Sequence, residues 1–360
     1  MRTVRVNLES RSYDIEIGSG LLDAIGQRVR QIREVTHAVI ISDSNLKEYA
    51  KQVEHSFSTA EVRCSRFEVP AGERSKSVDQ ASALWDQLLK AGTDRKSIVV
   101  AVGGGVVGDL AGFIAASFTR GLDFVQVPTS LLAHVDSSVG GKVGINLAGA
   151  KNMVGHFWQP IHVAIDMCVL ETLPERDYRS GLAEVVKYGV ILDADFFRFL
   201  ENNVAKIKER DPETLAEIIR QSCRLKAYVV ENDERETTGL RAILNYGHTF
   251  AHAFETVCGY GELMHGEAVS IGMLCASRLA ESMGRISAED TKRQTDLLAS
   301  LGLPIDVPPS GHDQLIAAMQ KDKKVEHGRL RFILPTKIGH VELVSDVEEN
   351  LVRAAMKHDD

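Results

Sequence analysis

The chain has 360 residues, 44% of them hydrophobic, and a formal net charge of −8. That is apolar material for two domains or one large α/β domain, and it excludes wholesale disorder. The acidic balance argues against nucleic acid or an anionic membrane as the main partner, the opening MRTVRVNLES lacks an apolar h-region, and no apolar run of about eighteen residues marks a membrane span.

From residue 1 to about 175, short β-branched runs alternate with helical patterns. HAVIISD (37–43), EVRCSRFEV (61–69), SIVVAVGGG (97–105), DFVQVPTS (123–130) and HVAID (162–166) read as strands. Several are near-continuously apolar, as parallel strands covered on both faces are. Helical stretches such as SVDQASALWDQLLKAG lie between them. The βαβ alternation predicts a Rossmann-like dinucleotide-binding domain over 1–175.

GGGVVG at 103–108 follows a strand and opens a helix, the context in which GxGxxG lets a backbone approach a pyrophosphate. A tight strand–helix turn is the plainer alternative. Asp109 comes next, and an acid there repels phosphate unless it has another task. Asp43 ends one strand, where an acid can bind ribose hydroxyls. Glu73 and Lys76 in PAGERSKS, and Thr129 and Ser130 in PTSLL, occupy further strand ends, outside which ligands bind in such sheets. DSSVGGKVGINLAGAKN (136–152) reads as a glycine-rich loop. It lacks Walker A spacing, yet its Lys142 and Lys151 can hold a phosphate, unless they are merely solvated.

Near TLPERDYRSG (172–181) the pattern turns almost wholly helical up to about 320, and GRLRFILPTKIGHVEL (328–343) reads as a hairpin. A mainly α-helical metal-binding domain is expected over 176–360. In SGLAEVVKYGVI, Glu184 and Lys187 sit one turn apart on a mostly apolar helix; charges on a buried face need partners, although a surface ion pair would look the same. Lys226 and Arg241 flank the polar ENDERETTGL. His248 and His252 are four apart and share a helix face, a spacing that can clamp a metal, and His265 follows after a loop, with Glu255, Glu262 and Glu267 nearby. The spacing leaves open which of the three histidines bind.

Six stretches together resemble the 3-dehydroquinate synthase family: GGGVVGDLAGF, QVPTSLLAHVDSSVGGKVGIN, AGAKNMVGHFWQP, GLAEVVKYG, KAYVVENDERETTGLRAILNYGHTFAHAFE and HGEAVSIGM. They occur in the family's order between about residues 40 and 340. The resemblance implies NAD, one divalent metal (zinc or cobalt) and conversion of 3-deoxy-D-arabino-heptulosonate 7-phosphate to 3-dehydroquinate and phosphate, in the shikimate pathway. It implies Glu184, His248 and His265 as metal ligands, which leaves His252 to face substrate. One Glu and two His with an open position is a catalytic zinc pattern. On the NAD side it implies Asp43, Glu73, Lys76, Gly104, Gly105, Val106, Asp109, Thr129, Ser130, Leu132, Asp136, Ser137, Lys142, Lys151 and Thr172. Toward substrate it implies Lys142, Asn152, Lys187, Lys226, Arg241, Asn245, His252 and either Lys323 or Lys324.

The implied chemistry is a transient oxidation by NAD that acidifies a neighbouring C–H, elimination of phosphate, re-reduction and an intramolecular aldol closure. Lys142, Asn152 and His252 suit the phosphate, and Lys226 and Arg241 the carboxylate. The family also places an arginine at a phosphate in FTRG, here Arg120. It lies about twelve residues past the glycine loop, roughly 18 Å along a helix. It is therefore expected to serve a neighbouring chain in a homodimer, a C-terminal helix cation being the alternative. An NAD- and metal-dependent polyol dehydrogenase, or a sibling sugar-phosphate cyclase, is the competing reading of the same architecture. The five scattered cysteines without a CxxC suit reduced thiols in a cytoplasmic protein.

Overall fold

The computed structural model describes every residue except 149, 260–261, 310, 322–329 and 358–360. The expected substrate lysine, Lys323 or Lys324, lies outside the described residues. The chain divides into two compact units, Met1–Pro174 with Ser222–Glu231, and Glu175–Gln221 with Asn232–Asp360.

The first unit is built on seven strands: β1 (Arg2–Val6), β2 (Tyr13–Gly18), β3 (His37–Asp43), β4 (Arg63–Val69), β5 (Ser97–Gly103), β6 (Asp123–Pro128) and β9 (His162–Asp166), β7 and β8 forming a separate hairpin. The sheet order is β1-β2-β9-β6-β5-β3-β4, with only the β1–β2 pair antiparallel. Helices α1 (Ile25–Ile32), α2 (Lys47–Thr59), α3 (Val78–Lys90) and α4 (Gly105–Ser117) connect it. All five strands expected from sequence lie side by side. Every residue of β5 and β9 is buried, which is why they read as unbroken apolar runs. Strands β1 and β2 escaped notice because β1 alternates exposed Thr3 and Arg5 with buried Val4 and Val6 at the sheet's edge.

From β3 the chain steps outward to β4 and then returns past β3 to β5, so the strand order reverses between β3 and β5. Ligands in open α/β sheets bind outside the carboxyl ends of the strands at such a point. Asp43 ends β3 and Gly103 ends β5.

One expectation fails. Residues 142–152 do not form a loop: they belong to an antiparallel hairpin, β7 (Lys142–Leu147) and β8 (Ala150–Phe157). Val143 and Ile145 turn into the core beside α4, while β8 is exposed or half-exposed throughout. Gly144 faces Gly155 across the pair, so the strands lack side chains at their closest point, and the glycines disguise the alternation.

The second unit is mainly helical: α5 (Glu175–Leu192), α6 (Ala194–Asn202), α7 (Val204–Lys208), the first part of α8 (Pro212–Asn232), α9 (His248–Cys258), α10 (His265–Ser282), α11 (Ala288–Ser300), α12 (His312–Lys321) and α13 (Glu349–Ala355). A hairpin of β10 (Arg331–Lys337) and β11 (His340–Ser345) completes it, where the sequence placed one. Helix α5 is buried without a break from Ser180 to Ile191, and α10 from Ala268 to Ser277. A helix apolar all round belongs in a core, and α5 carries just two buried charges there, Glu184 and Lys187.

Candidate metal centre and nucleotide-binding loops

Glu184 is fully buried on α5, and its Oε1 has no hydrogen-bond partner. A buried carboxylate oxygen left unpaired calls for an explanation, because its desolvation is otherwise uncompensated. Two helix starts face it. His248 is the first residue of α9 and His265 the first of α10. Nε2 of His248 lies 3.6 Å from Glu184 Oε1, and Nε2 of His265 lies 3.8 Å from the same oxygen. The three ligand atoms fall within 4.8 Å of one another. One carboxylate and two imidazoles converging on an unpaired oxygen fit a divalent cation with room for a further ligand. Lys187, one turn along α5, sets its ammonium against Glu184 Oε2.

Local sequence explains the convergence. Gly247 holds φ at +79°, and a side chain there would meet the α10 backbone at Met273. Only glycine lets the chain turn into α9 that close to α10. At Gly266, a Cβ would sit 1.8 Å from the Ser180 carbonyl oxygen, so α10 can start against α5 only without one. The Met264 amide donates to Glu267, whose carboxylate Arg176 grips with two bonds of 2.7 Å; Arg176 also donates to the Glu262 carbonyl. That clasp anchors the turn from which His265 projects.

His252, one turn beyond His248, stacks edge-on against its ring with centroids 5.6 Å apart. It is not among the three residues whose ligand atoms converge, which are Glu184, His248 and His265. Arg241 is 3% exposed and donates to the Glu234 carbonyl at 2.7 Å. Asp233, which sequence reasoning passed over, organises its loop: its carboxylate accepts the backbone N–H groups of Thr237, Thr238 and Arg241. Burial opposes ionisation of Asp233, but those bonds outweigh it and hold its pKa below the usual range. An Asp six residues before a glycine in a polar run is the signal that could have found it. Asn245 ends a 3-10 turn, Leu240–Asn245, half-buried before His248.

In the first unit, α4 starts at Gly105 with Gly104 as its cap and no side chain bonded to its first N–H groups. Gly104, Gly105 and Val106 are half-buried there. An uncapped helix N-terminus can receive a phosphate. Asp109 turns out not to be a bare anion. The Lys76 ammonium, 4% exposed, lies 2.7 Å from its Oδ2 and 2.5 Å from Asn152 Oδ1. Burial pushes the Asp109 carboxyl upward against the pull of Lys76. Asn146, also missed, ties the group together: its amide donates to Glu73 at 2.8 Å and its carbonyl accepts from the Asn152 N–H at 2.8 Å. It was hidden inside the stretch taken for a loop.

The other expected residues are distributed as follows. Asp43 is half-buried, accepts the Asn45 N–H, and is pushed up chiefly by burial. The Thr129 N–H donates to the Gly103 carbonyl, bringing the end of β6 to the glycine loop, and Ser130 Oγ accepts from Ala133. Leu132, Asp136 and Ser137 lie on or at a short π-helical turn, Ala133–Ser137. The Lys226 ammonium lies 2.8 Å from Asp136 Oδ1 and 2.7 Å from its carbonyl oxygen. The Thr172 hydroxyl pairs with Tyr49 at 2.8 Å. Lys142 and Lys151 are exposed on the hairpin. Arg120 is exposed just past α4, where Thr119, Arg120 and Gly121 all have positive φ.

A doubly wound α/β unit with an open glycine loop and a helical unit with a Glu–His–His cluster define the sugar-phosphate cyclase class of fold. The solved structure of 2-deoxy-scyllo-inosose synthase with carbaglucose-6-phosphate, NAD+ and Co2+ is similar with a TM-score of 0.89, 27% identity and 99% of both chains covered. That of 2-epi-5-epi-valiolone synthase from Streptomyces hygroscopicus with NAD+ and Zn2+ is similar at 0.88, 28% identical, over 99% of this chain and 98% of that one. Within that class, this chain belongs to the 3-dehydroquinate synthase family. The family's N-terminal model matches residues 66–180 and its C-terminal model residues 181–325. A relative in Rhodopirellula baltica, 3-dehydroquinate synthase, is 52% identical over 99% of this chain and 97% of its own length.

Proposed function

We propose that this chain converts 3-deoxy-D-arabino-heptulosonate 7-phosphate to 3-dehydroquinate and phosphate, as a lyase of the shikimate pathway using NAD and one divalent metal. The observation that carries this is the near-full-length 52% identity to a 3-dehydroquinate synthase, against 27% and 28% to the two sibling cyclases. When bound, NAD accepts and returns a hydride, and the metal lowers the pKa of the hydroxyl it binds.

Glu184, His248 and His265 would hold the metal, zinc or cobalt, with Nε2 of both rings toward it. His252, edge-on to His248, is assigned to hold a proton beside that centre, and Asn245 and Lys187 are assigned to the substrate. Lys142, Asn152 and His252 are assigned to the phosphate. Lys226 and Arg241 are assigned to the carboxylate, which Arg can grip in bidentate fashion. For NAD, the reversal of strand order at β3 and β5 supports a ribose at Asp43 and a pyrophosphate at Gly104, Gly105 and Val106. Thr129, Ser130, Leu132, Asp136, Ser137, Lys142, Lys151 and Thr172 complete that assignment, and the Glu73–Lys76–Asp109 network shapes its floor.

The working unit is read as a cytoplasmic homodimer in which Arg120 of one copy serves the site of the other. An exposed arginine in left-handed backbone supports that reading, as do the exposed apolar Met153, Val154 and Phe157 of β8. No helix among the described residues is long and apolar enough to cross a membrane.

The deciding assay supplies the heptulosonate phosphate with a catalytic amount of NAD. Phosphate should be released in many turnovers without accumulating NADH. Stoichiometric NADH without phosphate release would mark a simple polyol dehydrogenase and overturn the proposal.

A further inference from the structure

The two histidines of the cluster turn Nε2 toward Glu184, so each presents Nδ1 to a different neighbour. His248 Nδ1 donates to the Tyr246 backbone carbonyl at 3.1 Å. His265 Nδ1 lies 3.5 Å from Oε1 of Glu255, a carboxylate only 9% exposed. Glu255 sits on α9, two turns along from His248. One helix therefore carries a cluster ligand at its start and a carboxylate that faces the back of the other ligand's ring.

We infer that Glu255 is a positioning residue of the metal centre, fixing His265 with its proton on Nδ1 and Nε2 toward the cation. The inference rests on the metal reading given above. An imidazole ligand needs a defined tautomer, and the group bonded to its other nitrogen supplies it. An anionic acceptor also makes the coordinating nitrogen a better donor than a peptide carbonyl does. His265 depends on such help more than His248. Its side chain is 35% exposed against 12%.

The test measures zinc affinity of the full chain by competition with a chromophoric chelator, beside the thermal midpoint of the metal-free protein. Glu255→Gln keeps the shape and removes the charge. Its zinc Kd should rise about 10- to 100-fold, with little change in the metal-free midpoint. Glu255→Asp keeps the charge but withdraws it, so it should fall between the two, and it carries the test if the glutamine variant does not fold. In a His265→Ala background, Glu255→Gln should cost almost nothing more, because the residue acts through that ring. A parent that binds zinc and a glutamine variant within about twofold of it would overturn this inference alone, as would equal losses in both backgrounds. A parent that takes up no metal would overturn the metal reading with it.

Discussion

Lys187 and Glu184 form an ion pair with 2% and 0% of their side chains exposed. Lys187→Met keeps the aliphatic stem and deletes the ammonium. Removing one member of a buried pair strands the other, at a cost of about 3–5 kcal/mol. For a unit of this size each kcal/mol moves the thermal midpoint by roughly 2–4 °C, so the metal-free variant should melt about 6–20 °C below the parent. Saturating zinc should recover much of that loss, because the cation replaces the missing positive charge beside Glu184. A second substitution, Glu184→Leu on top of Lys187→Met, should restore stability toward the parent, since a buried pair exchanged for apolar side chains is often neutral. The readout is scanning calorimetry or circular dichroism of metal-free and zinc-loaded protein. A metal-free variant within about 2 °C of the parent, or a double variant less stable than the single one, would refute the claim that this carboxylate depends on Lys187 or a cation.

Metal content per chain should fall sharply in His248→Ala and His265→Ala, whereas His252→Ala should keep its metal and lose turnover; a metal-free His252→Ala protein contradicts the ligand set. Arg241→Lys should cost about 1.5–3 kcal/mol, roughly tenfold to over a hundredfold in kcat/KM, while an analogue lacking the carboxylate should scarcely feel it; equal losses on both compounds would point to another role. Arg120→Ala and Lys142→Ala should each be nearly inactive alone yet regain part of the activity in isolated mixed dimers, and mixed dimers as dead as their parents would rule out action across an interface. His134 is fully buried, donates from Nε2 to the Pro128 carbonyl at 2.9 Å and leaves Nδ1 unpartnered, and burial pushes it down to about 4. Its folded pKa lies below the unfolded value near 6.5, so the unfolded chain protonates first. Stability from this ring is complete above about pH 6.5 and declines by about 3 kcal/mol as pH falls toward 4. His134→Gln should flatten the loss of unfolding free energy between pH 7 and 4.5, and an unchanged slope would count against it.

What the sequence disclosed followed from how loudly each element speaks. Four of the five parallel strands, β3, β5, β6 and β9, are buried almost throughout, and β5 was legible together with the glycine loop that follows it. The edge strand β1, its neighbour β2 and the β7–β8 hairpin were not; in the hairpin, half-buried alternation broken by Gly144, Gly155 and lysines resembles a loop. Composition and spacing alone offered His248 with His252 as a possible clamp and left open which histidines bind. The cluster the structure assembles draws its third member from α5, about 60 residues upstream of His248, and no local periodicity connects them; the family resemblance named all three. Asp109 looked like a defect in a phosphate loop until Lys76, on a different connection, was found beside it. Asn146 and the orientation of Glu255 toward His265 depend on tertiary placement and left no mark in spacing.

The first unit is not a continuous length of chain. Ser222–Glu231, the last turns of α8, group with Met1–Pro174 after an excursion of 47 residues, Glu175–Gln221. The borrowed decapeptide is closely tied in: Cys223 meets the His134 carbonyl, Lys226 holds Asp136, and Glu231 receives two hydrogen bonds from Asn7. A ribosome that has released everything up to Pro174 has therefore not yet delivered the whole first unit, which stays unfinished until about sixty more residues have emerged. A protease fragment or gene fusion cut at Pro174 would inherit the sheet but lack the segment that closes over the π-helical turn. Neither half of this enzyme can therefore be released whole by a single cut, because each is assembled from two lengths of chain.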